Sequence, residues 1–289
     1  MKSGKNYVIS ILASVILVFV LILSAGMITV NKVASPDYLK ELSSKNNIAA
    51  SVQTQLENYF GDKYNETGVP SEVYTKELTI DYIRSVVDGI IDTGFAEMNS
   101  GTKQDYSVPV NKELENSITS FFDNYADSID YEKDDNYYKK LDDTIESAYK
   151  VIGDNCDVYK FGTMSREGIL NKTGVLYRQL DKIEIAVGAA LLLMIIILFI
   201  INLKSKKDSL YWIGISGIVS GVIGIVPSIY LIAVKYFDAF TIKQPLIFKS
   251  FTTLMYNTVN MFMITEIIIL VVGAILTAVY LIMHTKQDA

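Results

Sequence analysis

Residues 204–209, Lys-Ser-Lys-Lys-Asp-Ser, separate two uncharged apolar runs, Ile185–Leu203 and Leu210–Val234. A helix rises about 1.5 Å per residue, so about 20 mostly apolar residues cross the hydrocarbon of a bilayer. Both runs reach that length, and the turn between them is long enough only to reverse the chain. The pair reads as a transmembrane hairpin with a basic tip. Two more runs qualify on either side, Tyr7–Val30 and Met261–Met283. Ser24-Ala25-Gly26 supplies small residues of the kind found at a signal cleavage site, but the first run is long for a secretory signal and is read as an uncleaved anchor.

Basic residues in short loops stay on the cytoplasmic side. Lys2 and Lys5 precede the first run, Lys204, Lys206 and Lys207 fill the hairpin tip, and Lys286 follows the last run. Four crossings put all of them on one face. The expected layout is a cytoplasmic N-terminus at 1–6, spans at 7–30, 183–203, 210–235 and 261–283, a cytoplasmic turn at 204–209 and a cytoplasmic C-terminus at 284–289. Residues 31–182 and the apolar segment 236–260 then lie outside. The expected fold is an all-α integral membrane protein with four transmembrane helices and an extracytoplasmic helical bundle inserted between the first and second, located in the cell membrane.

The charge is partitioned in the same way. Residues 31–182 hold 17 Lys+Arg against 27 Asp+Glu, a net of −10, and the remainder holds 9 against 5, a net of +4, which together give the overall −6. So acidic a segment repels nucleic acid, leaving membrane lipid and a protein partner or a second copy as the expected associates. Only Cys156 carries a thiol, so an internal disulfide is excluded and the bundle must be held by its own core. Only three basic residues, Arg84, Arg166 and Arg178, are arginine; this Lys-, Asn-, Ile- and Tyr-rich composition is of a bacterial type.

Apolar residues from Ser35 onward recur at helical spacing. Ser35-Pro36 opens a first helix lined by Leu42, Ala49, Val52, Leu56 and Tyr59. After a loop at Gly61–Pro70, a second helix carries Ile80, Ile83, Val87, Ile90 and Met98, widened by Val86, Ile91 and Phe95. A polar loop, Asn99–Pro109, leads to a third helix with Leu114, Ile118, Phe121, Phe122, Tyr125 and Ile129. The fourth carries Tyr138, Leu141, Ile145, Ala148 and Ile152 and is expected to stop at Gly153. From Arg166 the pattern continues into the second span, predicting a 38-residue stalk of about 57 Å to Leu203 that Gly168 and Gly174 weaken. Pro245 with Phe248, Phe251, Met255, Val259 and Phe262 reads as a helix feeding the fourth span and packing on the bundle. In arrangement alone, a helical bundle between two spans resembles the sensory modules of bacterial chemoreceptors.

Little in this chain supports catalysis. The sole histidine, His284, stands at the end of the last span, so Ser–His, Cys–His and His-metal chemistry is excluded from the outer segments. Ser147-Ala148-Tyr149-Lys150 and Lys172-Thr173-Gly174 match fragments of serine-enzyme motifs, but both lie in helical pattern with no third element between them. The acidic run Asp127, Asp130, Glu132, Asp134, Asp135 lacks the ligand spacing and glycine of a calcium loop and reads as a solvated turn. No cofactor or metal motif is legible.

The spans offer more. Gly214, Gly217, Gly221 and Gly224 recur three and four residues apart, on one face of the third span, with Ser216 and Ser220 beside them. Such a face lets helices approach closely, within the bundle or between copies. Pro227, one turn on, marks a bend or hinge. Glu266 lies about 7 Å inside the fourth span, and Lys235 ends the third at similar depth, so the two form a candidate ion or proton site. The expected function is a non-catalytic envelope protein (scaffold, accessory subunit or sensor) whose outer bundle binds a partner. The alternative is an oligomeric channel or transporter component that uses the glycine-rich span and Glu266.

Overall fold

The computed structural model describes residues 4–285, with side chains from Asn6 onward. Lys2, Lys286 and the side chain of Lys5, three of the orienting lysines, lie outside the described residues. Among those residues the chain forms twelve α-helices, one 3-10 turn at Tyr236–Ala239, and no strand. In order the helices are α1 (Gly4–Val33), α2 (Pro36–Lys45), α3 (Ile48–Thr67), α4 (Glu72–Thr75), α5 (Ile80–Ser100), α6 (Lys112–Ser128), α7 (Asp135–Cys156), α8 (Phe161–Arg166), α9 (Ile169–Tyr177), α10 (Leu180–Ile201), α11 (Lys206–Ala233) and α12 (Pro245–Thr285). Four helical stretches, Asn6–Val33, Ile169–Ile201, Lys206–Ala233 and Pro245–Thr285, are long and apolar enough to cross a membrane, the pattern of a multi-pass membrane protein.

The chain divides into two compact units. One comprises the chain up to Ala34, Arg178–Thr241 and Thr252 onward; the other comprises Ser35–Tyr177 and Ile242–Phe251. In the first unit, Ala13 and Leu17 of α1 bury against Met194 and Leu198 of α10, with Trp212 and Ile213 of α11 closing the cluster. Serines join these apolar surfaces. The hydroxyls of Ser14 and Ser216 lie 2.6 Å apart, and Ser209 donates to the Leu198 carbonyl at 3.1 Å. Away from water such hydroxyls must find partners within the protein, and these do.

The second unit is built around α5. Ile83, Val86, Val87, Ile90, Ile91 and Phe95 are all buried, and α2, α3, α7, α8 and α9 pack around them. Polar caps start its helices. Ser35, Thr79, Asn111 and Asp134 accept the backbone N–H of Tyr38, Tyr82, Leu114 and Tyr137, each satisfying a donor that the first turn leaves free.

Several boundaries differ from the sequence expectation. The first bundle helix breaks at Asn46–Asn47, because Asn47 adopts the left-handed conformation (φ 51°), which asparagine tolerates. Helix α3 runs through Gly61 and ends at Gly68, where φ is 70°. Helix α7 runs past Gly153 to Cys156, since Gly153 has the separate task of admitting the side chain of Val108. The 38-residue stalk does not form: Gly168 (φ 70°) separates α8 from α9, and a turn at Arg178–Gln179 separates α9 from α10. On the other side of the chain, Pro245 does start a helix that continues without interruption through the fourth span. Residues 242–251 belong to the second unit, hereafter the helical unit, where Lys249 donates to the Asn46 carbonyl at 3.1 Å.

Gly94 and Gly89 of α5 provide a test of this packing. A Cβ at Gly94 would collide with the Phe161 ring, whereas one at Gly89 would meet nothing within 4 Å. Gly94→Ala is expected to cost about 1–3 kcal/mol by overpacking. Gly89→Ala should gain about 0.5–1 kcal/mol through helix propensity. Thermal unfolding of the two variants in detergent should therefore shift in opposite directions.

Candidate functional site

The glycine face of α11 lies against α12. A Cβ on Gly217 would stand 3.1 Å from both the Gly273 Cα and the Ile269 carbonyl. One on Gly214 would meet the Gly273 carbonyl at 2.8 Å and collide with Thr277. One on Gly221 would lie 3.0 Å from the Glu266 carbonyl, and Gly273 is equally tight against Gly214 and Ile218. Only hydrogen side chains allow backbones to come this close. Helix α11 continues through Pro227, which has no N–H to offer the preceding turn.

Gly224 differs from the other three, because what it accommodates is the side chain of Glu266. The carboxyl is fully buried, and its Oε2 accepts a hydrogen bond from the Ser220 hydroxyl at 3.1 Å. Oε1 has no hydrogen-bond partner among the described residues. Lys235 is exposed, in the left-handed conformation that ends α11, and among the described residues no ion pair joins it to Glu266.

The helical unit holds a second polar cluster that the sequence reading missed. Glu97 is fully buried near the end of α5. Its Oε2 accepts from the Ser165 hydroxyl at 2.8 Å, the Tyr106 hydroxyl at 3.2 Å and the Gln104 backbone N–H at 3.3 Å. Asp157 is also buried, and its Oδ2 accepts the Gly162 N–H at 3.0 Å, tying off the start of α8. Burial raises the Asp157 carboxyl above the ordinary aspartate range, opposed by Lys160 and the N–H groups of α8. Burial likewise raises the Tyr106 phenol, reinforced by the Glu97 charge. The sequence did carry a signal: Ile83, Val87, Ile90, Gly94 and Glu97 share one helical stripe, so the core face of α5 runs into a carboxylate.

Next to this cluster a groove of about 780 Å³ opens between the loop after α5, the start of α6, the outer face of α7 and α8. Its walls carry Glu115, Asp142, Glu146, Asp154 and Asp157 against Lys150 and Arg166, with Tyr106 and Tyr149 between them. Tyr149 is held rigidly: its hydroxyl accepts the Asn111 N–H at 2.7 Å, and its proton lies 3.1 Å by oxygen distance from both the Asn111 carbonyl and Glu115 Oε1. The groove is therefore an acidic, aromatic-walled recess suited to a positively charged group.

The remaining sequence candidates are scattered. Lys133 pairs with Asp127 at 2.8 Å and Asp123 at 3.5 Å, so the acidic turn is partly neutralised from within. Ser147 and Lys172 are exposed on separate helices. The His284 ring stacks on Tyr280, 3.2 Å from the Lys207 amine. Among the described residues no group of three or more His, Cys, Asp or Glu side chains is placed to hold a metal ion. Comparison with family models, curated proteins and solved structures finds no match to this chain.

Two outcomes follow from burial in this unit. Burial pushes the Cys156 thiol up to about 12, and only the thiolate is a strong nucleophile. A maleimide at neutral pH should leave the folded chain unmodified and label it fully after unfolding in SDS, as read by intact mass. For Asp157, whose pKa rises on folding, the associated stability is complete below the unfolded-state value and is lost as pH rises through the folded value. Thermal midpoints of Asp157→Asn relative to the native chain should therefore shift in the variant's favour on going from about pH 4 upward, then level off.

Proposed function

We propose that this chain is a non-catalytic cell-envelope protein of bacterial type. Four spans anchor it in the cell membrane with both termini cytoplasmic, and residues 31–182 form an extracytoplasmic bundle that binds a partner. The observation that carries this reading is the groove, where five carboxylates and two tyrosines face two cations. A basic segment of a partner protein fits that chemistry, and an anionic lipid surface or nucleic acid does not. The lysines at 204, 206 and 207 and the −10 charge of residues 31–182 support the orientation. A scaffold or accessory subunit needs no reaction centre, and the bundle has neither histidine nor exposed thiol with which to build the common ones.

Sidedness is tested with single cysteines introduced at Asn99 and at Ser205, each read against the inert Cys156. A membrane-impermeant maleimide applied to intact cells should label the first and spare the second. The reverse pattern would remove the reading. Binding is tested by titrating a lysine-rich peptide onto the full chain in nanodiscs. Replacing Asp142 and Glu146 by lysine should weaken binding by about tenfold, since inverting two exposed charges is worth about 1–2 kcal/mol. Lysines at the exposed Glu57 and Asp62, on another helix, should leave it unchanged. Equal losses in both variants would mean general charge attraction and no groove site.

A further inference from the structure

We infer that Glu266, lodged in the notch that Gly224 leaves beside Ser220, is a binding site for one small monovalent cation, a proton or a sodium ion. This is independent of partner binding by the helical unit. The carboxyl has no exposure at all, and one of its oxygens, Oε1, has no hydrogen-bond partner among the described residues. A Cβ on Gly224 would lie 2.7 Å from the carboxyl carbon and 3.0 Å from Oε1. The other three glycines of the face admit backbone or apolar side chain, together with Thr277 at Gly214, whereas this one makes room for a carboxyl. Ser220, one turn earlier on the same helix, donates a hydrogen bond to that carboxyl at 3.1 Å.

An acid placed between two spans with half its acceptor capacity unused is costly unless something positive occupies the free oxygen. Lys235, which ends α11, is exposed and makes no ion pair with it among the described residues. The charge balance sets the class of ligand. One carboxylate is neutralised by one positive charge, whereas a divalent ion would leave a net charge in an apolar setting. Carboxylate and hydroxyl oxygens are hard donors, which suits a proton or sodium and disfavours soft metals.

The test uses the full chain in nanodiscs and a lipid-soluble carbodiimide, which adds only to protonated carboxyl groups in apolar surroundings. Peptide mass spectrometry should find the adduct on Glu266, forming more slowly as pH rises from about 6 to about 8. If sodium shares the site, labelling should slow about tenfold when potassium is replaced by sodium at about ten times its Kd, by mass action. Ser220→Ala, which keeps the carboxyl, should then weaken that protection. Labelling that depends on pH and ignores sodium identifies a proton site. Recovery of the Glu266 peptide without adduct across the pH range would overturn the inference, as would labelling that responds to neither pH nor sodium. Glu266→Gln, nearly isosteric, should abolish the adduct while keeping the elution volume of the native chain.

Discussion

Between two helices immersed in lipid there is no hydrophobic force to bring them together, because the surrounding chains are as apolar as the side chains. Close contact then depends on shape, and here it depends on positions 214, 217, 221 and 273 having no side chain. The α11–α12 contact is backbone against backbone along this stretch, with carbonyls and Cα atoms at van der Waals range. Serine hydroxyls make the corresponding contact between α1 and α11, where Ser14 and Ser216 meet. Small residues make the α11–α12 and α1–α11 contacts, Leu17, Met194 and Leu198 fill the cluster between α1 and α10, and other bulky side chains, such as Phe19, Leu192 and Ile268, are exposed.

Carboxylates are buried in both units, with different degrees of satisfaction. One oxygen of Glu97 collects three donors from three different segments, so this acid works as a clasp that fixes the loop after α5 and the short α8 onto the central helix. Asp157 performs the same task at the start of α8, accepting the Gly162 N–H at 3.0 Å beside the N–H groups of Phe161 and Thr163. The groove takes its acidic floor from this arrangement, because the segments these acids hold down are the ones that form its walls. Among the described residues Glu266 accepts from one donor, the Ser220 hydroxyl, and its Oε1 has no hydrogen-bond partner, as is also true of Glu97 Oε1 and Asp157 Oδ1. What sets Glu266 apart is its place between two apolar spans.

Much of this was legible in the sequence. Four apolar runs are a strong signal because hydrocarbon thickness fixes their length, and the long bundle helices are marked by the period of their apolar residues, whereas the short α4 and α8 hold too few residues to show one. The ends were harder. Glycine at 61 and 153 was read as a stop, yet both lie inside helices, whereas Gly68, Gly101 and Gly168 terminate them with positive φ. A glycine alone does not reveal whether it is needed for its backbone freedom or for the space it leaves. Asn47 is the same ambiguity in another residue. In α6 and α7 the apolar faces extend less far than the pattern suggested: Tyr125, Ile129 and Tyr138 are exposed while Ala126 and Tyr137 are buried. The Glu97 cluster escapes the sequence pattern because a charge on an apolar stripe is normally discounted, and of its partners Gln104 and Tyr106 lie in a polar loop while Ser165 is remote in sequence.

Cys156 packs at the end of α7 as a small apolar side chain, with 1 % of its surface exposed. Maturation of the helical unit therefore waits on no oxidant, no isomerase and no correct pairing of thiols. Its core is thus indifferent to the reducing or oxidising character of the compartment in which it forms.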